Sequence, residues 1–312
     1  MKRKQLLALL LGLTLLTGCG QKGGESVPSS EPGEGSGPAA GTLPSLEKDE
    51  VPAYVTCRIV DGAEEGALLL AELDDCLYDG HDGRSDGRSV YRLAVKENIP
   101  VYLDGEKASA DALTDGMPVE IAFNGNVMET FPAQLGEVYS ISAWSIGTPQ
   151  SPGGSFYDLC GLYLKVLDDL WNVDPGLNSD ISVAGVDLSQ APGGLLESEK
   201  AALAWRFGEL HGVEVVTGTF DELVEQGYIT DAASGKASAG VEHPLYQWED
   251  GCLFVIDANE DHAGEDYSLV TLFFNAWKWR SGDGGYYYYD CSVLWPQGGS
   301  WSGYQVGSEL IS

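Results

Sequence analysis

Trp277-Lys278-Trp279-Arg280-Ser281-Gly282-Asp283-Gly284-Gly285-Tyr286-Tyr287-Tyr288-Tyr289 decides how the second half of this 312-residue chain is read. Aromatic residues favour extended backbone, and the Gly-Asp-Gly-Gly centre supplies residues that tolerate positive φ, so the stretch reads as two strands joined by a turn. Working outward, Cys252 to Asp257, Tyr267 to Trp277, Gly285 to Leu294 and Trp301 to Ile311 form four consecutive strand-like runs, with Gly298-Gly299 as a further turn. Upstream the period changes. Leu159, Cys160, Leu162, Tyr163, Val166, Leu167 and Leu170 recur at helical spacing within Phe156 to Trp171, ahead of Pro175-Gly176. A second helix is expected over Ser198 to His211 with Gly212 as its stop, and Thr219-Phe220-Asp221-Glu222 has capping-box spacing for a short third helix ending at Gly227. Helices followed by strands predict an α+β domain over 155–312, its helices packed on one face of an antiparallel meander sheet.

The other face of that sheet is where a site is expected. Trp277, Lys278, Trp279 and Arg280 lie beside Tyr286 to Tyr289 on adjacent strands, and strand alternation turns about half of these side chains away from the core. Aromatic rings beside polar groups suit stacking on a sugar or gripping a peptide, which makes Trp277, Trp279, Arg280, Tyr286 and Tyr288 the candidate binding residues. The competing reading is that these rings finish the sheet and pack beneath the helices or the first domain.

Residues 51–146 have a different texture. Tyr54 to Val60, Ala67 to Leu73, Val90 to Val95, Val119 to Phe123 and Val138 to Ala143 are short strand-like runs punctuated by Asp61-Gly62, Asp104-Gly105 and Asn124-Gly125, the last a hairpin signal. One helical turn is expected near Ser109 to Leu113, ended by Asp115-Gly116. Five or six antiparallel strands in under 100 residues predict a small closed OB-like β-barrel.

The amino terminus carries an address. Lys2, Arg3 and Lys4 precede an apolar core from Leu6 to Leu16 that is too short to span a bilayer, and Thr17-Gly18 stand directly before Cys19. Leu16-Thr17-Gly18-Cys19 resembles the lipobox of bacterial lipoproteins. That resemblance implies a leader over 1–19, a fatty-acylated thioether on Cys19 and a chain anchored by lipid to the extracytoplasmic face of the cell membrane, since two or more acyl chains hold a protein stably. The alternative is an ordinary secretory signal with an incidental cysteine. Residues 20–50 are Gly, Ser, Pro and Glu with almost no large apolar side chain, a composition that stays disordered and serves as a tether with a reach on the order of 30 Å.

Two further resemblances extend the reading. Leu113-Thr114-Asp115-Gly116-Met117-Pro118-Val119-Glu120-Ile121, followed by Gly125 and Thr130-Phe131-Pro132-Ala133, resembles small β-domains of unknown function in Gram-positive lipoproteins. The segments at Asp169 to Asn178, Thr217 to Leu223 and Trp279 to Gly282 resemble an uncharacterised domain of secreted proteins from anaerobic Gram-positive bacteria. Both imply a fold and a location, and neither implies a reaction.

Composition narrows the chemistry. With 17 basic and 48 acidic residues the formal charge is −31, which repels phosphate backbones and argues against nucleic acid as a partner. Cys57, Cys76, Cys160, Cys252 and Cys291 follow Cys19; their odd number leaves at least one unpaired within the chain, and Cys57 with Cys76 or Cys252 with Cys291 are conceivable local pairs. Cys160 falls on the apolar face of the first expected helix. Asp74, Asp75, Asp79, Asp82 and Asp86, interleaved with glycines around His81, lack the alternating ligand spacing and terminal Glu of a calcium loop and read as a solvated loop. The four histidines, His81, His211, His243 and His262, stand near no nucleophile elbow, zinc helix, P-loop or dinucleotide fingerprint, so neither a cofactor, a metal nor a catalytic residue is assigned. The expectation is a lipid-anchored binding or scaffolding module with a cell-wall glycan or peptide as ligand. The alternative is a cell-wall glycan hydrolase using paired carboxylates.

Overall fold

The computed structural model describes residues 51–73, 89–146, 158–232, 244–262, 271–294 and 301–312, which belong to one compact unit. Leader, Cys19, tether, the Asp74 to Asp86 loop with Cys76 and His81, and His243 lie outside the described residues. Strand accounts for 44% of them and helix for 19%. None of the described helices is long and apolar enough to cross a membrane.

The first half forms β1 (Ala53–Asp61), β2 (Ala67–Glu72), β3 (Val90–Ala94), β4 (Val101–Leu103), β5 (Glu106–Ala108), β6 (Pro118–Phe123), β7 (Val127–Met128), β8 (Ala133–Leu135) and β9 (Val138–Ala143). The single helical turn falls at Ala110–Ala112, as expected, and Gly116 follows it at φ +86°. These nine strands form one sheet in the order β5-β4-β9-β6-β1-β2-β3-β8-β7. It is a half-barrel, open between β5 and β7, and it is mixed, because β3 pairs β8 and β4 pairs β9 in parallel. A closed antiparallel OB-like barrel is therefore not what this sequence builds. The four very short strands carry too few residues to show alternation, and Asn124-Gly125 does not join two paired strands: β6 pairs with β1 and β9, and the small β7–β8 hairpin is inserted between.

The second half forms α1 (Leu159–Asn172), β10 (Val183–Asp187), α2 (Glu197–His211), β11 (Glu214–Thr217), α3 (Phe220–Glu225), β12 (Thr230–Asp231), β13 (Tyr246–Gln247), β14 (Gly251–Ala258), β15 (Thr271–Ser281), β16 (Gly284–Leu294), β17 (Tyr304–Gln305) and β18 (Ser308–Ile311). The three helices fall where periodicity puts them. Asp158 caps α1 by accepting from Gly161 N at 2.8 Å, Gly212 closes α2 at φ +67°, and Thr219 with Glu222 forms the expected capping box on α3.

The sheet departs from expectation. Its main path runs β11-β10-β14-β15-β13-β12, with β16 on β15 and both β17 and β18 on β16. β10 pairs in parallel with β11 and with β14, so β10-α2-β11 is a crossover unit interleaving helix with strand. A β-rich chain with two large mixed sheets thus replaces the α+β expectation of helices laid on an antiparallel meander. The run Val183-Ala184-Gly185-Val186-Asp187 escapes a sequence reading because it is short and has glycine at its centre. That glycine is needed: a Cβ on Gly185 would come within 2.8 Å of the Trp248 ring and 3.1 Å of Leu223.

Helices α1 and α2 lie between the two sheets. Val60, Leu69, Ala71 and Val90 of the first sheet join Leu162, Leu167, Phe207, Phe254 and Phe274 in one buried cluster. Cys57, Ile59, Leu68 and Leu70, alternating with them along β1 and β2, fill a second cluster inside the half-barrel. Burial on both faces explains the unbroken Leu68-Leu69-Leu70 run. Helix α3 covers the far face of the second sheet over Leu253, Val255, Trp248 and Trp279. A buried ion pair ties the first sheet to α2: Arg58 Nε donates to Glu199 Oε1 at 2.7 Å, and the guanidinium also donates to Gly116 O at 3.0 Å.

Candidate functional site

Strand parity sorts the aromatic residues of β15 and β16. The pairings Trp277↔Tyr287, Trp279↔Gly285, Lys278↔Tyr286 and Ala276↔Tyr288 put Trp277, Trp279 and Tyr287 on the α3 face, and Lys278, Tyr286 and Tyr288 on the α1 face. The five candidate residues are therefore divided between two surfaces. Tyr286 and Tyr288 are 6% and 8% exposed in the helix-side core, with the Tyr286 hydroxyl donating to Glu309 at 2.5 Å. Trp279 is 8% exposed, its ring edge-on to Phe220 at 5.0 Å. Arg280 is half-buried and donates to the carbonyls of Leu177, Ser179 and Glu249, fixing the loop after α1. Of the four aromatic candidates, Trp277 alone is partly exposed.

Lys278 has a structural post. It is fully buried, and its Nζ donates to Val173 O, to Asp174 O at 3.0 Å and to Asn178 Oδ1 at 2.5 Å, placing a cation where α1 ends in unpaired carbonyls. Burial pulls its ammonium down to about 8.

The accessible rings are Trp277, Tyr287 and Tyr289. Trp277 and Tyr287 stack at 6.0 Å, and Tyr287 and Tyr289 continue the run at 6.0 Å with planes 4° apart. Gly285 makes this possible, because a Cβ there would sit 2.6 Å from the Tyr287 hydroxyl oxygen and 2.7 Å from its ring. Tyr287 thereby leans flat across its own strand. Tyr287 and Tyr289 are absent from the sequence-based set because four consecutive tyrosines carry no parity signal, and the bulge at Arg280 shifts the register.

Carboxylates stand beside the rings. β10 and β14 run parallel as neighbours, with Asp187 the last residue of β10 and Asp257 the next to last of β14, and open sheets containing parallel strands bind ligands outside such carboxyl ends. Trp277 Nε1 donates to Asp257 Oδ2 at 3.1 Å, while Asp257 Oδ1 is buried with no partner among the described residues. Burial, then repulsion from Asp187 and Glu260, pushes the Asp257 carboxyl up despite the indole hydrogen bond. Asp187 turns Oδ1 to Ser189 N at 2.9 Å. On its other flank, His262 stacks on Phe273 at 3.9 Å. The arrangement offers a run of partly exposed, stacked rings, a carboxyl that burial holds toward its protonated form, and a second acid beside it. Among the described residues no group of three or more His, Cys, Asp or Glu side chains is arranged to hold a metal ion.

The four described cysteines expose no thiol. Cys57, Cys160, Cys252 and Cys291 are free, buried thiols, so the conceivable Cys252–Cys291 bridge is not made, and burial pushes both of these thiols up to about 12. Such groups are inert as nucleophiles.

No protein-family model, curated protein or solved structure matches the chain. The functional reading stands on geometry and charge.

Proposed function

We propose that this chain is a lipid-anchored extracytoplasmic binding module that holds a cell-wall glycan on the shelf formed by Trp277, Tyr287 and Tyr289. The observation that carries the reading is the run of stacked, partly exposed rings beside Asp257, whose Oδ2 accepts from the Trp277 indole. A pyranose ring presents an apolar face that stacks on such rings and an equatorial rim of hydroxyls that carboxyl groups bind. Attachment through Cys19 and the 20–50 spacer would hold the shelf within a domain's diameter of the membrane. The excess of acidic residues argues for an uncharged ligand over a polyanion.

Binding of soluble N-acetylhexosamine oligosaccharides to the full chain in detergent tests the glycan. Trp277→Ala and Tyr287→Ala are each expected to weaken binding at least about tenfold, since buried aromatic anchors contribute about 2 kcal/mol or more. No binding by the parent chain overturns the reading. Mass spectrometry of the membrane fraction tests the anchor, with an unmodified Cys19 counting against it.

One observation favours the hydrolase alternative. A carboxyl pushed up by burial beside a second acid, Asp187, is how paired acids divide into proton donor and base. Release of reducing ends from the bound oligosaccharide, abolished by Asp257→Asn with binding retained, would establish it.

A further inference from the structure

Strand β11 ends the second sheet, and its outer edge pairs with no strand among the described residues. Glu214 N donates to Ser182 O and Gly218 N to Val186 O, which turns residues 214, 216 and 218 toward β10. By alternation Val215 and Thr217 direct their N–H and C=O groups outward. Alongside this edge runs a groove of about 750 Å³, walled by one face of α2 and floored by β11. Ala204 and Trp205 supply its apolar surface, and Gly208 lets strand and helix approach closely, since a Cβ there would meet Val215 at 2.8 Å. Its lining holds five carboxylates, Asp187, Glu197, Glu209, Glu214 and Glu222, against one ammonium, Lys200, already paired with Glu197 at 2.9 Å.

We propose that the β11 edge captures an extended peptide of alternating apolar and lysine residues, added to the sheet as a further strand. Main-chain hydrogen bonds to Val215 and Thr217 supply affinity. Alternate side chains enter the groove against Trp205 and Ala204, and the lysines, on the other face of the added strand, meet Glu214 and Glu222. Charge selects the occupant. The chain's own 20–50 segment carries Glu25, Glu31, Glu34, Glu47, Asp49 and Glu50 against Lys22 and Lys48, and a second copy would bring the same acidic edge, so both are repelled. A charged edge also protects against aggregation, but that duty needs no groove beside the strand. None of the three rings of the aromatic shelf lines this groove, although Asp187 borders both.

The probe is a decapeptide of alternating valine and lysine titrated into the full chain in detergent, with the valine–glutamate peptide as comparison. Saturable binding of the lysine peptide is expected, weakened at least about tenfold by Glu214→Lys. Thr217→Pro removes one outward N–H, leaves the β10 ladder intact and should weaken binding by a similar factor, as should N-methylation of alternate peptide amides. Trp277→Ala should leave this binding unchanged. Equal binding of the glutamate peptide, no binding of either peptide, insensitivity to Thr217→Pro, or concentration-dependent pairing of the chain through β11 overturns the proposal.

Discussion

Trp277 Nε1 donates to Asp257 Oδ2 across β15 and β14, so the first ring of the shelf and the most perturbed carboxyl beside it are oriented by one bond. A carboxyl with a raised folded-state pKa favours folding while protonated and loses that contribution as pH rises through the folded value. Its ionised form therefore costs stability at neutral pH. Asp257→Asn keeps an acceptor for the indole and is expected to raise the Tm at pH 7, with the advantage shrinking as pH falls toward the ordinary carboxyl range near 4. Thermal unfolding across pH 3 to 7 measures it, and an unchanged Tm at pH 7 rejects the assignment.

Arg58 and Glu199 stand at 2% and 7% side-chain exposure, and removing one leaves the other buried and uncompensated. Arg58→Ala is expected to cost about 3–5 kcal/mol, whereas replacing both by apolar residues of similar volume should restore most of the loss. Urea unfolding of the single and double variants reads the difference. A double variant as weak as the single one would rule out an uncompensated charge as the cause.

His211 stacks on Trp171 at 4.2 Å, and burial holds its pKa below the usual 6.5, with Asp168 at 3.5 Å opposing. The unfolded chain takes up a proton that the folded imidazole resists, so this contribution is complete above pH 6.5 and is lost as pH falls toward the folded value. His211→Gln should flatten that part of the stability curve between pH 6.5 and 5. Parallel parent and variant curves over that window would refute it.

Lys278→Met keeps the unbranched stem of the side chain, one atom shorter, and removes its donors. Three acceptors at the end of α1, Val173 O, Asp174 O and Asn178 Oδ1, are then left without this partner. A loss of about 1–3 kcal/mol is expected, together with faster amide exchange over 171–178, measured by hydrogen–deuterium exchange. Unchanged exchange there would mean that the loop holds itself.

Helix periodicity was legible in α1, α2 and α3 because each shows whole turns of apolar spacing and a cap. The longer strands β1, β2, β6, β9, β14 and β16 were legible from runs of β-formers. Pairing was not. Parallel and antiparallel partners have the same local residue preferences, and β10 and β11 are too short to outweigh the helices around them. At the site, the aromatic density of 277–289 was plain, but which tyrosines face outward depends on two register shifts between β15 and β16, one at Arg280 and one at Asn275, and a slip of one residue exchanges the faces. Asp187 and Asp257 were two acids among 48, and only the fold brings them together.

Because α1 and α2 are clasped between both sheets, synthesis order matters. The half-barrel emerges from the ribosome first, with Val60, Leu69, Ala71 and Val90 uncovered until residues through His211 have followed. The nascent first half thus waits, sticky and incomplete, for more than sixty further residues, which makes the interval before α2 arrives the point in its biogenesis where a holdase is most needed.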